Sequence, residues 1–253
     1  MAKGRRLDLE LVARGLFESR ERAQACILAG EIWVGGHRSD KASKLILPDA
    51  QIEHRGADRY VSRGAYKLET ALTHWPIDPT GLTCFDIGAS TGGFTDFLLQ
   101  HGAAKVVAID VGHSQLHWKI RNDPRVEAHE GVNARYLKLE EWEKSGAPFP
   151  LIVTDVSFIS LRLVLPAAFD LLAPSGRVVA LIKPQFEAGR DQVGKGGIVR
   201  EDSVRQEVIA GLLDWVKQFP VESRGVVPSS ITGRDGNQEY LWLLEKRRES
   251  ESW

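Results

Sequence analysis

From Ser62 onward the sequence predicts an α/β fold, a Rossmann-like and mostly parallel sheet with helices on both faces. Three observations predict it. Short apolar runs at Thr83–Ile87, Val106–Ile109, Leu151–Thr154 and Val178–Ile182 read as buried strands. Helically spaced stretches at Phe94–His101, Leu161–Leu172 and Ser203–Phe219 alternate with them, as parallel crossovers require. The last two runs, Val221–Arg224 and Glu239–Leu243, have no helix between them and predict an antiparallel terminal hairpin.

The N-terminal segment reads differently, as a small α+β unit. Leu7, Leu11, Val12 and Leu16 share one helical face, and Gly15 fits a stop. Ser19 looks like the N-cap of a second helix, Arg20–Ala29, closed by Gly30. Ile32-Trp33-Val34 reads as a strand and Gly35-Gly36 as a tight turn. Leu45-Ile46-Leu47 follows, with Pro48-Asp49 as another turn. The expected domains are therefore 1–54, a linker at 55–63, and 64–253.

Composition bounds the function. The 253 residues suffice for one large and one small domain, and 43% apolar content can build a core. Net charge is −1, yet Met1 to Arg63 carries 12 Lys and Arg against 9 Asp and Glu, and the rest 21 against 25. A basic segment on an acidic body fits an RNA-binding module, with Arg5, Arg6, Arg20, Arg22, Lys41 and Lys44 on one face. Cys26 and Cys84 form no C-x-x-C pair, which argues against a disulfide framework or a zinc site and suits a reducing cytoplasm. No apolar stretch follows the first basic residues and no run is long enough to span a bilayer.

A helix is expected at Ala65–His74, and the body's most informative stretch follows it: Phe85-Asp86-Ile87-Gly88-Ala89-Ser90-Thr91-Gly92-Gly93-Phe94-Thr95. A strand runs into a glycine-rich turn and a helix whose free N–H groups face the same space, a cradle for a nucleotide-like cofactor. Gly88 and Gly93 match the outer positions of G-x-G-x-x-G, but Ser90 fills the middle one, where pyrophosphate needs its closest approach. Asp86 would repel phosphate and suit an ammonium group. That favours S-adenosylmethionine over NAD. Asp110, ending the next strand, is placed to bind ribose hydroxyls of either cofactor.

Four polar residues stand at landmarks: Lys67 in the first helix of the body, Asp155 and Lys183 after apolar strands, and Glu239 at the opening of the last strand. Asp155 and Lys183 lie at the carboxyl edge, where open α/β sheets bind ligands. A ribose 2'-OH must lose its proton as it attacks a methyl sulfonium. A free lysine, with a pKa of ~10.4, is mostly protonated at neutral pH, and desolvation draws it toward use as a base. Gly189–Gly196 nearly spells a P-loop, but Gly196 replaces the Ser/Thr that would ligate magnesium, so a loop that closes on substrate is expected instead.

These residues resemble known families. Residues 5–36, from Arg-Leu-Asp through Ser-Arg-Glu-Arg-Ala to Ile-Trp-Val-Gly-Gly, resemble the alpha-L RNA-binding module of a small-subunit ribosomal protein and of pseudouridine synthases. Lys67, Asp155, Lys183 and Glu239 resemble the Lys-Asp-Lys-Glu tetrad of FtsJ-like ribose 2'-O-methyltransferases. The whole chain is similar to the TlyA family of rRNA 2'-O-methyltransferases, once labelled haemolysins. The matching stretches run from Val61–Leu68, Asp86–Asp96, Thr154–Ser160 and Lys183–Glu187 to Gly194–Gly197 and Gly236–Tyr240. The resemblance implies a Rossmann-like S-adenosylmethionine-dependent methyltransferase acting on cytidine in rRNA, monomeric, cytoplasmic and without a metal. It implies Lys67, Asp155, Lys183 and Glu239 as the catalytic group, with Lys183 the base. It assigns Asp86, Gly88, Ser90, Thr91, Gly92, Asp110, Asn133 and Asp155 to the cofactor. Two departures stand out. Glu130-Gly131-Val132-Asn133 replaces the usual Glu-Arg-Thr-Asn near the adenine side, and Asp58-Arg59-Tyr60-Val61 replaces the linker's Arg-x-Trp-Val.

Overall fold

The computed structural model describes residues 4–55, 59–233 and 236–248. Asp58, in the linker segment, lies outside them. The chain divides into two compact units, Met1–Arg59 and Tyr60–Trp253.

In the first unit, β1 (Arg5–Arg6) leads into α1 (Leu7–Ala13) and α2 (Arg20–Leu28), followed by β2 (Ile32–Val34), β3 (His37–Arg38), β4 (Leu45–Ile46) and β5 (Ile52–His54). α1 is shorter than its apolar spacing predicts because a Schellman turn closes it. The amide of Gly15, at φ +69°, reaches Val12, and that of Leu16 reaches Leu11. α2 closes the same way, with Gly30 to Ile27 and Glu31 to Cys26. Ser19 caps α2 as expected, its hydroxyl accepting from the Arg22 amide at 3.2 Å. Gly35 and Gly36, both at positive φ, turn β2 into β3. β1 pairs with β4, and β2 lies between β3 and β5. Leu7, Leu11, Ala23, Cys26, Ile27, Ile32 and Ile46 form the core.

In the second unit, α3 (Gly64–His74) precedes β6 (Thr83–Ile87), α4 (Gly93–Gln100), β7 (Lys105–Asp110), α5 (Trp118–Arg121), β8 (Val126–Glu130), α6 (Leu139–Trp142) and β9 (Phe149–Thr154). There follow α7 (Leu161–Asp170), β10 (Leu172–Ile182), α8 (Pro184–Glu187), α9 (Asp202–Trp215), β11 (Val221–Pro228) and β12 (Tyr240–Lys246). The strands form one sheet in the order β11-β12-β10-β9-β6-β7-β8. Only β12 runs antiparallel to its neighbours, pairing with β10 on one side and β11 on the other.

Alternation along the strands builds two cores. Phe85, Ile87, Ile152, Val178, Ala180 and Trp242 face one side, packed with residues of α7 and α9. Cys84, Leu151, Val153, Val179, Leu181 and Leu241 face the other, packed with α3 and α4. Tyr60 is buried in this second core beside Tyr66 and Phe97. The next amide, of Val61, donates to the buried Asp96 carboxylate at 2.8 Å. The segment that carries Tyr in place of the family's Trp is thus an anchored part of the body.

Candidate active site

The strand order reverses direction between β6 and β9, the point at which open α/β sheets leave a crevice. Two loops meet there. The Asp155 amide donates to the Ile87 carbonyl at 3.0 Å, and Gly88 lies directly against Asp155. Gly88 stands at φ +82°, and a Cβ on it would lie 2.9 Å from the Asp155 carbonyl oxygen, so no side chain fits. A Cβ on Gly93 would overlap the Ser62 hydroxyl and come within 3.1 Å of the Ala65 amide, so the start of α4 sits tight against the start of α3. The cleft so formed has a volume of about 350 Å³ and is lined by Gly88, Ser90, Thr91, Lys67, Asp155 and Arg63, among others.

The four polar residues singled out from sequence are joined by ion pairs, and two of them, Lys67 and Asp155, line the cleft. Lys67 Nζ, on α3, lies 2.6 Å from Glu239 Oε2 and 3.8 Å from Asp155 Oδ2. Lys183 Nζ, at the end of β10, lies 2.6 Å from Asp155 Oδ1. The chain of alternating charge therefore runs Glu239–Lys67–Asp155–Lys183. Lys67, Lys183 and Glu239 are buried, so this charge is held largely out of water. The sequence reading missed the next member: Lys183 Nζ donates to Ser157 Oγ at 2.7 Å. Serine is common in loops, and only the contact between two loops distinguishes this one. Phe158 beside it is held at φ +64° with its ring 91% exposed. Glu187 ties the same loops together, accepting from Ser160 Oγ at 2.6 Å and from the Leu161 amide at 2.7 Å, and its burial pushes its carboxyl upward.

Glu239 sits just ahead of β12 rather than in it, and Asn237 sets that approach. The buried Asn237 side chain accepts from the Val199 amide at 2.9 Å and donates to the Gly197 carbonyl at 2.8 Å. This binds the glycine-rich loop at 194–199, the stretch that resembled a P-loop, to the segment carrying Glu239.

The cofactor-side residues fall into three places. Ser90, Thr91 and Gly88 line the cleft. Gly92, at φ +95°, is the N-cap of α4. Asp110 closes a narrow adjoining crevice with Gln115, Leu116, Ala128 and His129. Its oxygens take the Ser90 amide at 2.8 Å and the Gly112 amide at 2.7 Å. Each oxygen keeps a second lone pair for a ligand hydroxyl. Asn133 stands outside both cavities, its carboxamide oxygen accepting from the Arg135 amide. In the departing loop, Val132 bonds the Asp110 carbonyl and Glu130 pairs with Arg121.

Asp86 lies beneath the turn and is wholly buried. One oxygen accepts from Thr95 Oγ1 at 2.6 Å, while Oδ1 has no hydrogen-bond partner. Burial, with help from the charge of Asp155, pushes its carboxyl up to about 7, against the pull of the Thr95 hydroxyl.

In the first unit the basic residues are organised by an acid. The buried Asp8 accepts from Arg6 at 3.0 Å, from Arg20 at 2.9 Å and from Gln24 at 2.7 Å. The Arg6 guanidinium is the largest influence holding the Asp8 carboxyl well below the usual range. Arg5 pairs with Glu10 at 3.4 Å. Among the described residues no helix is long and apolar enough to cross a membrane.

A mostly parallel seven-stranded sheet with an antiparallel last strand, a glycine cradle at its switch point and an acid closing β7 defines the Rossmann-like methyltransferase class. The FtsJ-like methyltransferase model matches residues 60–246, and the S4 domain model matches residues 5–52. A Bacillus subtilis protein named "Putative rRNA methyltransferase YqxC" is 46% identical over 96% of this chain and 86% of its own length. The Mycobacterium tuberculosis "16S/23S rRNA (cytidine-2'-O)-methyltransferase TlyA" is 42% identical over 96% of this chain and 91% of its own. A solved structure described as "Putative hemolysin from Streptococcus thermophilus" is 41% identical, with a TM-score of 0.74 over 100% of this chain and 92% of that one. The chain belongs to the FtsJ-like methyltransferase family, in the S4-bearing group of the TlyA rRNA 2'-O-methyltransferases.

Proposed function

We propose that this protein methylates the ribose 2'-hydroxyl of a cytidine in rRNA, with S-adenosylmethionine as the methyl donor and Lys67, Asp155, Lys183 and Glu239 as its catalytic group. The observation that carries the proposal is the charge chain Glu239–Lys67–Asp155–Lys183, which reaches the glycine-lined cleft through Lys67 and Asp155. The relatives named for rRNA (cytidine-2'-O)-methyl transfer supply the substrate class. Ribosomal RNA as substrate puts the activity in the cytoplasm.

The residues present suit the cofactor. The cradle at Gly88 and Gly93 has no room for a Cβ, and Asp86 Oδ1 is a buried oxygen without a partner. Gly88, Ser90, Thr91 and Gly92 would hold the amino-acid end, and Asp110, with Asn133 behind it, the ribose side. When bound, S-adenosylmethionine supplies a methyl group made electrophilic by its sulfonium. The protein's part is to place and deprotonate the acceptor. Lys183 Nζ takes the 2'-hydroxyl proton as the methyl group is transferred. Ser157 and Asp155 fix the position of that nitrogen, and Asp155 stabilises the ammonium that results. Lys67, clasped between Glu239 and Asp155, keeps the Asp155 carboxylate oriented. Such a pathway needs no metal, and the protein is proposed to work as a monomer. The S4 unit holds RNA mainly through phosphates, which position it without reading sequence.

Lys183→Ala should lower methyl transfer to rRNA by ~10²–10⁴-fold, the usual loss for a general base, and leave cofactor and RNA binding nearly intact. Lys183→Arg should be almost as poor, because a guanidinium does not accept the proton. Tritiated methyl incorporation by purified variants measures this. Wild-type rates in Lys183→Ala would refute the mechanism, and a wild-type protein that binds rRNA without methylating it would refute the function.

A further inference from the structure

The first unit holds a group of side chains that the methyl-transfer reading does not use. Cys26 Sγ, a Glu31 carboxylate oxygen and a His54 ring nitrogen all lie within 4.8 Å of one another. We propose that Cys26, Glu31 and His54 form a binding site for zinc or a similar borderline divalent cation, which clips the end of α2 to the sheet of the S4 unit.

Backbone geometry makes the group, not chance surface proximity. The Schellman turn that ends α2 bonds the Glu31 amide to the Cys26 carbonyl at 2.9 Å, which stacks the two residues. β5 then pairs with β2 so that His54 stands opposite Ile32, and the Arg55 amide bonds the Glu31 carbonyl at 3.0 Å. All three residues are therefore mounted on hydrogen-bonded backbone. The side chains are also oriented before any ion arrives. His54 Nε2 lies 3.0 Å from Glu31 Oε2, and its ring packs on Phe17 with centroids 4.8 Å apart. Cys26 is buried, Glu31 half-buried and His54 exposed, so the group opens to solvent on one side.

The donor set selects the ion. One thiolate, one imidazole and one carboxylate suit zinc, which takes sulfur, nitrogen and oxygen in a tetrahedron and accepts water as a fourth ligand. Calcium and magnesium want oxygen alone. Ligand atoms around a tetrahedral zinc stand about 3.5 Å apart, so rotations of these side chains by about an ångström close the site. Binding replaces the Cys26 thiol proton, which is released to solvent. The benefit is clear from size. Among the described residues the unit's core is built on seven buried side chains, Cys26 among them, and units this small usually rely on a staple.

Cobalt(II) titration of the full-length protein provides the test. An equimolar complex with a thiolate-to-cobalt charge-transfer band, displaced by zinc, is expected. Cys26→Ser should abolish the band. His54→Ala, at an exposed position that leaves the core intact, should weaken binding more than about tenfold, the loss that even outer-sphere partners cause. Zinc should raise the melting temperature of the wild type and not of His54→Ala. Absence of a thiolate band at equimolar cobalt, a band that survives Cys26→Ser, or wild-type affinity in His54→Ala would each overturn the proposal.

Discussion

The Asp86 carboxyl sits where no water reaches it, with one oxygen on Thr95 and the other unpartnered. Its folded-state pKa, about 7, lies above the ordinary 3.8. A raised carboxyl stabilises the fold when protonated. That contribution is complete below the unfolded value and is lost as pH rises through about 7. The expected result is that wild type loses stability relative to Asp86→Asn between roughly pH 5 and pH 8, by about 2.5 kcal/mol. Urea denaturation of both proteins at the two pH values measures it, and parallel curves would show that Asp86 is ionised throughout. At this scale the sequence was readable where a polar residue ended an apolar run. Lys183 and Asp155 announce themselves because each follows directly on an apolar run that reads as a buried strand. Ser157 and Asn237 did not, because a hydroxyl or carboxamide gains meaning only from the loop it meets, 26 residues away for Ser157 and 38 for Asn237. The Cys26, Glu31 and His54 group escaped for the same reason. Cysteine spacing was searched, while the group depends on a helix-ending turn and a strand register.

Elements followed their patterns where burial was two-sided. Thr83–Ile87 was read to the residue because its successive side chains Cys84 and Phe85 enter different cores, and Ile87 rejoins that of Phe85. β8 was missed: Val-Glu-Ala-His-Glu at the sheet's edge needs no apolar alternation. β10 begins at Leu172, earlier than its apolar run, because a register shift between Leu172 and Arg177 lets Pro174 and Gly176 into the strand. α9 stops at Trp215, and a 3₁₀ turn continues toward Phe219. Two side chains attach the loop at 194–199: Asn237, and Arg205, whose guanidinium donates to the Val199 carbonyl at 3.0 Å. Asn237→Ala should free the Val199 amide and loosen the approach to Glu239, lowering methyl transfer about tenfold or more with cofactor affinity retained. Hydrogen exchange at Val199 reads the first effect and methyl incorporation the second. Unchanged Val199 protection would mean the loop is held from elsewhere.

The whole molecule divides its labour between two units. A chain beginning at Tyr60 should fold and bind S-adenosylmethionine, since both cores and the cleft lie within residues 60–248. It should lose most rRNA affinity and methylation. The intact protein should bind rRNA with a steep salt dependence that the shortened one lacks, because phosphate contacts release counterions. Filter binding across a salt series checks this, and equal slopes for the two proteins would remove the S4 unit from RNA anchoring. The expectation of two units came from the change of pattern after Ser62, where alternating strands and helices begin.

One consequence concerns synthesis. β12 follows β11 in the chain, yet it lies inboard of it, wedged between β10 and β11. β11 therefore has no partner until β12 has been made, and Glu239 arrives only with β12. A nascent chain carries Lys67, Asp155 and Lys183 through most of its elongation without the acid that clasps Lys67. The proposed catalytic group is therefore complete only once β12 has been made and has slotted in beside β10.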